Sequence, residues 1–99
     1  MMDISNEEKK QEYIDRMLDH IVALRTMLHM TQLEMATILG IGRQTLVSIE
    51  TRKRPMTWSM FLSLMFVFSQ RPETRPLLEI FGIYSDEMKA IYQRGVREK

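Results

Sequence analysis

The side chains best suited to chemistry lie at the start of one short segment. Leu46 and Ile49 are spaced so that they can share one face of a helix. The opposite face then presents Arg43, Gln44, Val47 and Ser48. Arginine and glutamine can each make two hydrogen bonds to a guanine or an adenine edge in the major groove of DNA. The segment therefore indicates a helix that reads base pairs, and the alternative interpretation is an ordinary exposed helix start.

Two short helices joined by a tight turn are predicted to position these residues. Thr31 can cap the first helix, because its hydroxyl can accept from the N–H of Glu34 while the Glu34 carboxylate accepts from the N–H of Thr31. Gly40 can end that helix at positive φ, and Gly42 can cap the next helix. The predicted elements are a first motif helix over residues 32–39 and a recognition helix over residues 43–51.

The segment resembles the DNA-binding domain of phage repressor and Cro-like proteins, the XRE type. The residues that carry the resemblance are Thr31, Gln32, Ala36, Gly40, Ile49, Glu50, Lys53 and Arg54. The resemblance implies an all-α, lambda-repressor-like five-helix domain with an extended N-terminal helix and an additional C-terminal helix. We expect residues 1–99 to form this single domain, with residues 21–69 as the helix-turn-helix core. The implied function is a sequence-specific transcriptional regulator of the repressor kind.

The resemblance also implies roles for individual residues. It places Arg43, Gln44 and Ser48 among the base readers, and Val47 lies on the same predicted surface. It implies a buried ion pair between Arg25 and Glu50 that ties the first helix to the end of the recognition helix. The implied contacts to DNA phosphates are Gln32, Thr45, Arg52, Lys53 and Arg54.

Three residues depart from the family pattern. Gly42 stands where a serine or asparagine cap is usual, and His29 stands at the glycine that closes the preceding helix. Arg52 replaces the glycine after the recognition helix. Because arginine tolerates positive φ less well than histidine, we expect the loop after the recognition helix to follow its own path.

Composition and charge argue for a binding protein. The chain has no cysteine, which excludes disulfides and thiolate metal sites. Its net charge is only +1, but residues 25–75 carry seven basic and three acidic side chains, so positive charge is concentrated on the motif. His20 and His29 lie about half a turn out of phase on one predicted helix and cannot share a metal ion. We expect no metal, no cofactor and no enzymatic activity.

No segment of the sequence has the character of a membrane span. The longest apolar run, residues 60–68, is interrupted by Ser63 and falls far short of the roughly 20 residues that a span requires. The amino-terminal segment carries Asp3 and Glu7 and lacks an apolar signal core. We expect a cytoplasmic protein, and the resemblance adds a bacterial, plasmid or phage origin.

Further helices are predicted on both sides of the motif. A first helix is expected from Ser5 to Leu28, and another is expected from the cap Thr57 to Ser69. A short helix should end at Phe81, and Ser85 should cap a final helix over residues 85–99. In the first motif helix, the apolar residues expected to face the core are Leu33, Ala36 and Leu39.

The apolar side chains that follow the motif exceed what the core of such a domain needs. The surplus comprises Phe66, Val67, Ile83, Tyr84, Met88, Ile91, Tyr92 and Val96. Exposed apolar patches beyond a few hundred Å² usually mark an interface. The final helix can fold back on its own domain or pack against a two-fold mate. We favour the second arrangement, a homodimer on a palindromic operator in double-stranded DNA.

A second class of function stays open on the sequence. The chain can instead be a protein–protein interaction module of the same fold, antitoxin-like or a regulator-binding partner, with little DNA binding. It would act through the apolar surface of the helix after Thr57 and the tail. A regulator should prefer its own promoter DNA, whereas an interaction module should bind cognate and random DNA equally poorly.

Overall fold

The computed structural model describes residues 7–90, and this part of the chain is helical without any strand. Its helices are α1 (Glu7–Met27), α2 (Gln32–Leu39), α3 (Arg43–Glu50), α4 (Trp58–Ser69) and α5 (Arg75–Ile80), followed by a helical segment over residues 86–90, here α6. The all-α class is thereby confirmed for this range. Within it, no helix combines the length and apolarity needed to cross a membrane. The predicted cap Ser5 and the predicted helix beyond residue 90 lie outside the described residues.

The first helix contributes one wall of the core. Its 21 residues bury one stripe, which consists of Tyr13, Ile14, Met17, Ile21 and Leu24. Glu7 and Glu8 lie in its first turn, where carboxylates interact favourably with the helix dipole. The helix closes at His29, whose φ of 57° places it in the left-handed region.

The predicted capping chemistry fixes the ends of α2. The N–H of Glu34 donates to Thr31 Oγ1 at 3.0 Å, and the N–H of Thr31 donates to Glu34 Oε1 at 2.8 Å, so the capping box is complete. Gly40 ends the helix with a φ of 75°, a conformation that strains any residue with a side chain. The turn leads directly to Gly42, the N-cap of α3.

The inner face of α2 differs from the prediction. Leu33 is 59% exposed, whereas Met35 and Ala36 are fully buried and Leu39 is half-buried. At 100° per residue, Met35, Ala36 and Leu39 fall within an arc of about 100°, and Leu33 lies beyond its edge. The spacing of Leu33, Ala36 and Leu39 was compatible with a stripe, but the packing of α2 against α3 and α4 selects the neighbouring arc.

The helix α4 is the central element of the core. Thr57 caps it through a 3.1 Å hydrogen bond from the N–H of Met60, as predicted. The helix packs against α1, α2 and α5, and its buried side chains are Phe61, Leu64, Met65 and Phe68. The buried hydroxyl of Thr74 donates to the carbonyl of Phe68 at 2.7 Å, which fastens the start of α5 to the end of α4. Despite the apolar circumference of α4, Phe66 remains 64% exposed.

The segment after α5 folds back on its own domain, which corrects part of the predicted dimer surface. Ile83 and Met88 are 0% and 1% exposed and belong to the core of their own chain. The chain reverses at Gly82 (φ 72°), and Ser85 Oγ lies 2.6 Å from Tyr13 Oη, so the start of α6 is held beside α1. Val67 and Tyr84 are half-buried. The remaining members of that predicted surface, Ile91, Tyr92 and Val96, lie outside the described residues.

Candidate nucleic-acid interface

The helix α3 presents a polar start and an apolar inner face. Leu46 and Ile49 are 0% and 3% exposed, which orients α3 against α1 and α2. Arg43 and Gln44 are exposed at the first two positions of the helix. The other predicted DNA-contacting residues of α3 are half-buried: Thr45, Val47 and Ser48. The amino end of α3 is therefore the accessible part of the helix.

A buried ion pair fixes the other end of α3, and it joins the two residues that the resemblance implied. Arg25 Nε donates to Glu50 Oε2 at 2.9 Å, and Arg25 Nη2 donates to Glu50 Oε1 at 3.1 Å. The two side chains are 13% and 3% exposed. Arg25 Nη1 also donates to the carbonyl of Met30 at 3.1 Å. This two-pronged geometry fixes orientation as well as distance, so the carboxyl end of α3 is locked to α1.

The side chain of Gln32 extends this network to the start of α3. Gln32 Nε2 donates to Glu50 Oε1 at 3.0 Å, while Arg43 Nη2 donates to Gln32 Oε1 at 3.4 Å. The resemblance implied only a phosphate contact for Gln32. In the structure its amide links the buried pair to Arg43, the first residue of α3, through a long and exposed second hydrogen bond.

The loop after α3 contains a residue in the left-handed conformation, although it contains no glycine. Arg52 has a φ of 64°, and its N–H donates to the carbonyl of Ile49 at 3.1 Å. The N–H groups of Lys53 and Arg54 both donate to the carbonyl of Ser48, at 2.9 and 3.1 Å. Arg52 thus adopts the left-handed conformation in spite of its side chain, and these three backbone hydrogen bonds hold it in place; that the loop follows its own path stays a prediction.

The guanidinium of Arg52 points to α1. This differs from the predicted role of Arg52 as a contact to a DNA phosphate. Its Nη2 lies 2.7 Å from Asp19 Oδ1, and its Nη1 lies 3.7 Å from Asp15 Oδ1. Lys53 and Arg54 are exposed and make no ion pair within residues 7–90. The sequence contains one indication of this contact. Asp15 and Asp19 repel each other at i, i+4 spacing, so a cation beside both carboxylates stabilises the helix.

The two histidines lie apart, one packed against an aromatic ring and one at a turn. His20 Nδ1 lies 2.8 Å from the carbonyl oxygen of Arg16, and its ring stacks on Phe81 with centroids 3.9 Å apart. His29 is exposed at its left-handed turn position. Across residues 7–90, no three His, Asp or Glu side chains are grouped so that they could hold a metal ion.

Comparison with known proteins adds no assignment. No family model matches the chain, and no curated protein and no solved structure matches it significantly.

Proposed function

We propose that this protein is a sequence-specific, double-stranded DNA-binding transcriptional regulator of the XRE type with a lambda-repressor-like fold. One observation carries the proposal. The exposed amino end of α3 bears Arg43 and Gln44, and a hydrogen-bonded chain through Gln32 connects Arg43 to the buried Arg25–Glu50 pair. The buried ion pair fixes the orientation of α3, and a helix start that bears these two side chains suits base recognition, because bidentate contacts tolerate little misorientation.

In the proposed complex, α3 lies with its amino end in the major groove. Arg43 and Gln44 bond to base edges, Val47 contacts a thymine methyl group, and Ser48 adds a short polar contact. Lys53, Arg54 and Thr45 contact phosphates on either side and fix the register of the helix. Two copies bind the two halves of a palindromic operator, which matches the two-fold symmetry of a homodimer.

The charge distribution around α3 supports this arrangement over a generic polar surface. Lys53 and Arg54 follow the recognition helix directly and have no acidic partner within the described range. The carboxylate of Glu50, which Gln32 links to Arg43, is 3% exposed and already paired with Arg25. Arg43, Lys53 and Arg54 are thus accessible cations beside α3, as phosphate binding requires, while the exposed carboxylates of Asp15 and Asp19 lie at Arg52.

Selection of bound fragments from a random DNA pool tests the proposal, followed by affinity measurements on the selected site. We expect Arg43→Ala to relax the preference at one base pair by about 1–3 kcal/mol, because one bidentate contact is lost. The matched variant Lys53→Ala should weaken binding to every sequence alike, because phosphates carry no base identity. Selected and random DNA bound with equal, low affinity would overturn the proposal.

The second candidate is a protein–protein interaction module of the same fold. The observation that favours it is Phe66, a large apolar side chain that is 64% exposed on α4. Under this hypothesis the α3 surface would be incidental. Equal and weak binding of selected and random DNA is its expected result in the same experiment.

A further inference from the structure

Phe66 separates two apolar depressions on one side of the molecule. The first lies between α4 and α5 and has a volume of about 520 Å³. Its floor is formed by the buried Met65 and Leu78, and Leu62 and Phe66 form its wall. The second lies between α2 and α4, has a volume of about 530 Å³, and includes Ile38, which is 53% exposed. We call the two depressions and the Phe66 ring between them the Phe66 face.

The polar rim of the first depression carries both signs of charge. Arg75 and Glu79 are exposed there, and as i, i+4 residues of α5 they point in the same direction. Neither side chain forms an ion pair within residues 7–90. Tyr84 completes the rim; burial raises the pKa of its phenol, and the carboxylates of Glu79 and Asp86 raise it further. The rim therefore offers one unpaired cation and one unpaired anion.

The Phe66 face contains the two parts that a self-complementary patch needs, a projecting side chain and a recess. A two-fold interface brings the same patch of two subunits together. Each projecting side chain must therefore fit a recess in the identical patch of the other subunit. Phe66 is the projection and the α4–α5 depression is the recess. When two α5 helices meet antiparallel, Arg75 of each copy lies opposite Glu79 of the other, which gives two identical ion pairs.

We infer that a second copy of this chain docks on the Phe66 face, with each Phe66 ring seated in the α4–α5 depression of its mate. This inference rests on the proposed function, which requires two protomers on a palindromic site, and it moves the interface from α6 to α4 and α5. The face shares no residue with the base-reading and phosphate-contacting set. The two proposed interfaces therefore use separate side chains.

Sedimentation equilibrium of the full-length protein without DNA tests this inference. The wild type should sediment as a dimer at micromolar concentration. Phe66→Glu should raise the dimer dissociation constant about 30-fold or more, the usual effect of losing a central apolar anchor. The matched control is Val22→Glu, which places the same charge at a 49% exposed valine on α1, off the face, and should leave the dimer unchanged.

A charge exchange on α5 provides a second measurement that does not depend on Phe66. Arg75→Glu and Glu79→Arg should each raise the dissociation constant at least about tenfold, because like charges then face each other twice. The double variant should restore dimerisation, since the pairs re-form in the opposite sense. Both positions are exposed, so the exchange decides the question even if Phe66→Glu fails to fold.

Several outcomes would overturn the inference. A wild type that stays monomeric at high micromolar concentration would do so, as would a dimer indifferent to both sets of variants. A monomer that binds anilinonaphthalene sulfonate stoichiometrically in the depression would assign the face to a small apolar ligand instead. The proposed function and the proposed interface can fail independently of each other. Phe66→Glu should weaken dimerisation but keep the base preference of the wild type on a half-site. Arg43→Ala should relax the base preference but stay dimeric.

Discussion

The surface around α3 and the Phe66 face differ in how their side chains are held. Around α3, hydrogen bonds of 2.9 to 3.4 Å run from Arg25 through Glu50 and Gln32 to Arg43. On the Phe66 face the ring projects from α4 over apolar walls, and the rim charges have no partner among the described residues. The side chains of the first surface are hydrogen-bonded to one another within the single chain. The second surface exposes an apolar ring and two charged side chains that form no ion pair among the described residues.

The two surfaces would therefore gain binding energy in different ways. A preorganised polar surface loses little conformational entropy when a ligand arrives, so its geometry can encode specificity. An apolar face gains mainly by removing area from water, at roughly 25 cal/mol per Å², and it tolerates small misfits. DNA reading suits the first surface and self-association suits the second, so variants at the two surfaces should have separable effects.

The largest effect is expected from breaking the polar network at its buried end. Arg25→Ala leaves the 3% exposed carboxylate of Glu50 without its cation, which should lower the free energy of unfolding by about 3–5 kcal/mol. Urea denaturation followed by circular dichroism measures the loss. The double variant Arg25→Met with Glu50→Leu is the control, and it should recover much of the stability because no charge is stranded. Wild-type stability of Arg25→Ala would show that water still reaches the carboxylate.

A cavity in the core beside α6 should lower the free energy of unfolding somewhat less than the loss of Arg25. Met88→Ala removes a side chain that is 1% exposed, so the free energy of unfolding should fall by about 2–4 kcal/mol. Because Met88 packs in its own chain, the difference from wild type should be the same at protein concentrations tenfold apart. Lys89→Ala, an exposed neighbour in α6, is the matched control. A difference that grows on dilution would return Met88 to a dimer interface.

Local chemistry explains which parts of this fold the sequence predicted. The caps Thr31 and Thr57 and the turn glycine Gly40 act within three or four residues, so their roles could be inferred from spacing alone. The range of α2 was predicted for the same reason, and α3 ends one residue before the predicted range does. The base-reading roles of Arg43, Gln44 and Ser48 were assigned from residue type and from the resemblance, and they stay predictions.

Burial and long-range pairing depend on tertiary packing and were predicted less well. Leu33 and Met35 differ by only two positions, yet packing against α3 and α4 exposes one and buries the other. Phe66 and Met88 were both expected at an interface, and only the reversal at Gly82 and the anchor at Ser85 determine that Met88 is internal. The attraction of Arg52 to Asp19 spans 33 residues of sequence, beyond the reach of helical periodicity.

The smallest effect, and the finest test of the α3 surface, concerns Arg52. A residue with a side chain in the left-handed region costs roughly 1–2 kcal/mol relative to a right-handed one, and glycine avoids this cost. The exposed ion pairs with Asp15 and Asp19 return only about 0.2–1 kcal/mol. We therefore expect Arg52→Gly to be slightly more stable than wild type and Arg52→Ala to be less stable.

Salt separates the two contributions at this position. In about 1 M sodium chloride the Debye length shrinks to roughly 3 Å, so the advantage of Arg52 over alanine should disappear. The advantage of glycine over alanine, about 1 kcal/mol, should persist because it arises from backbone conformation and not from charge. Urea denaturation of the three proteins at low and high salt measures both differences. Equal stability of the glycine and alanine variants would contradict the φ of 64°, and the loop would then need another path after α3.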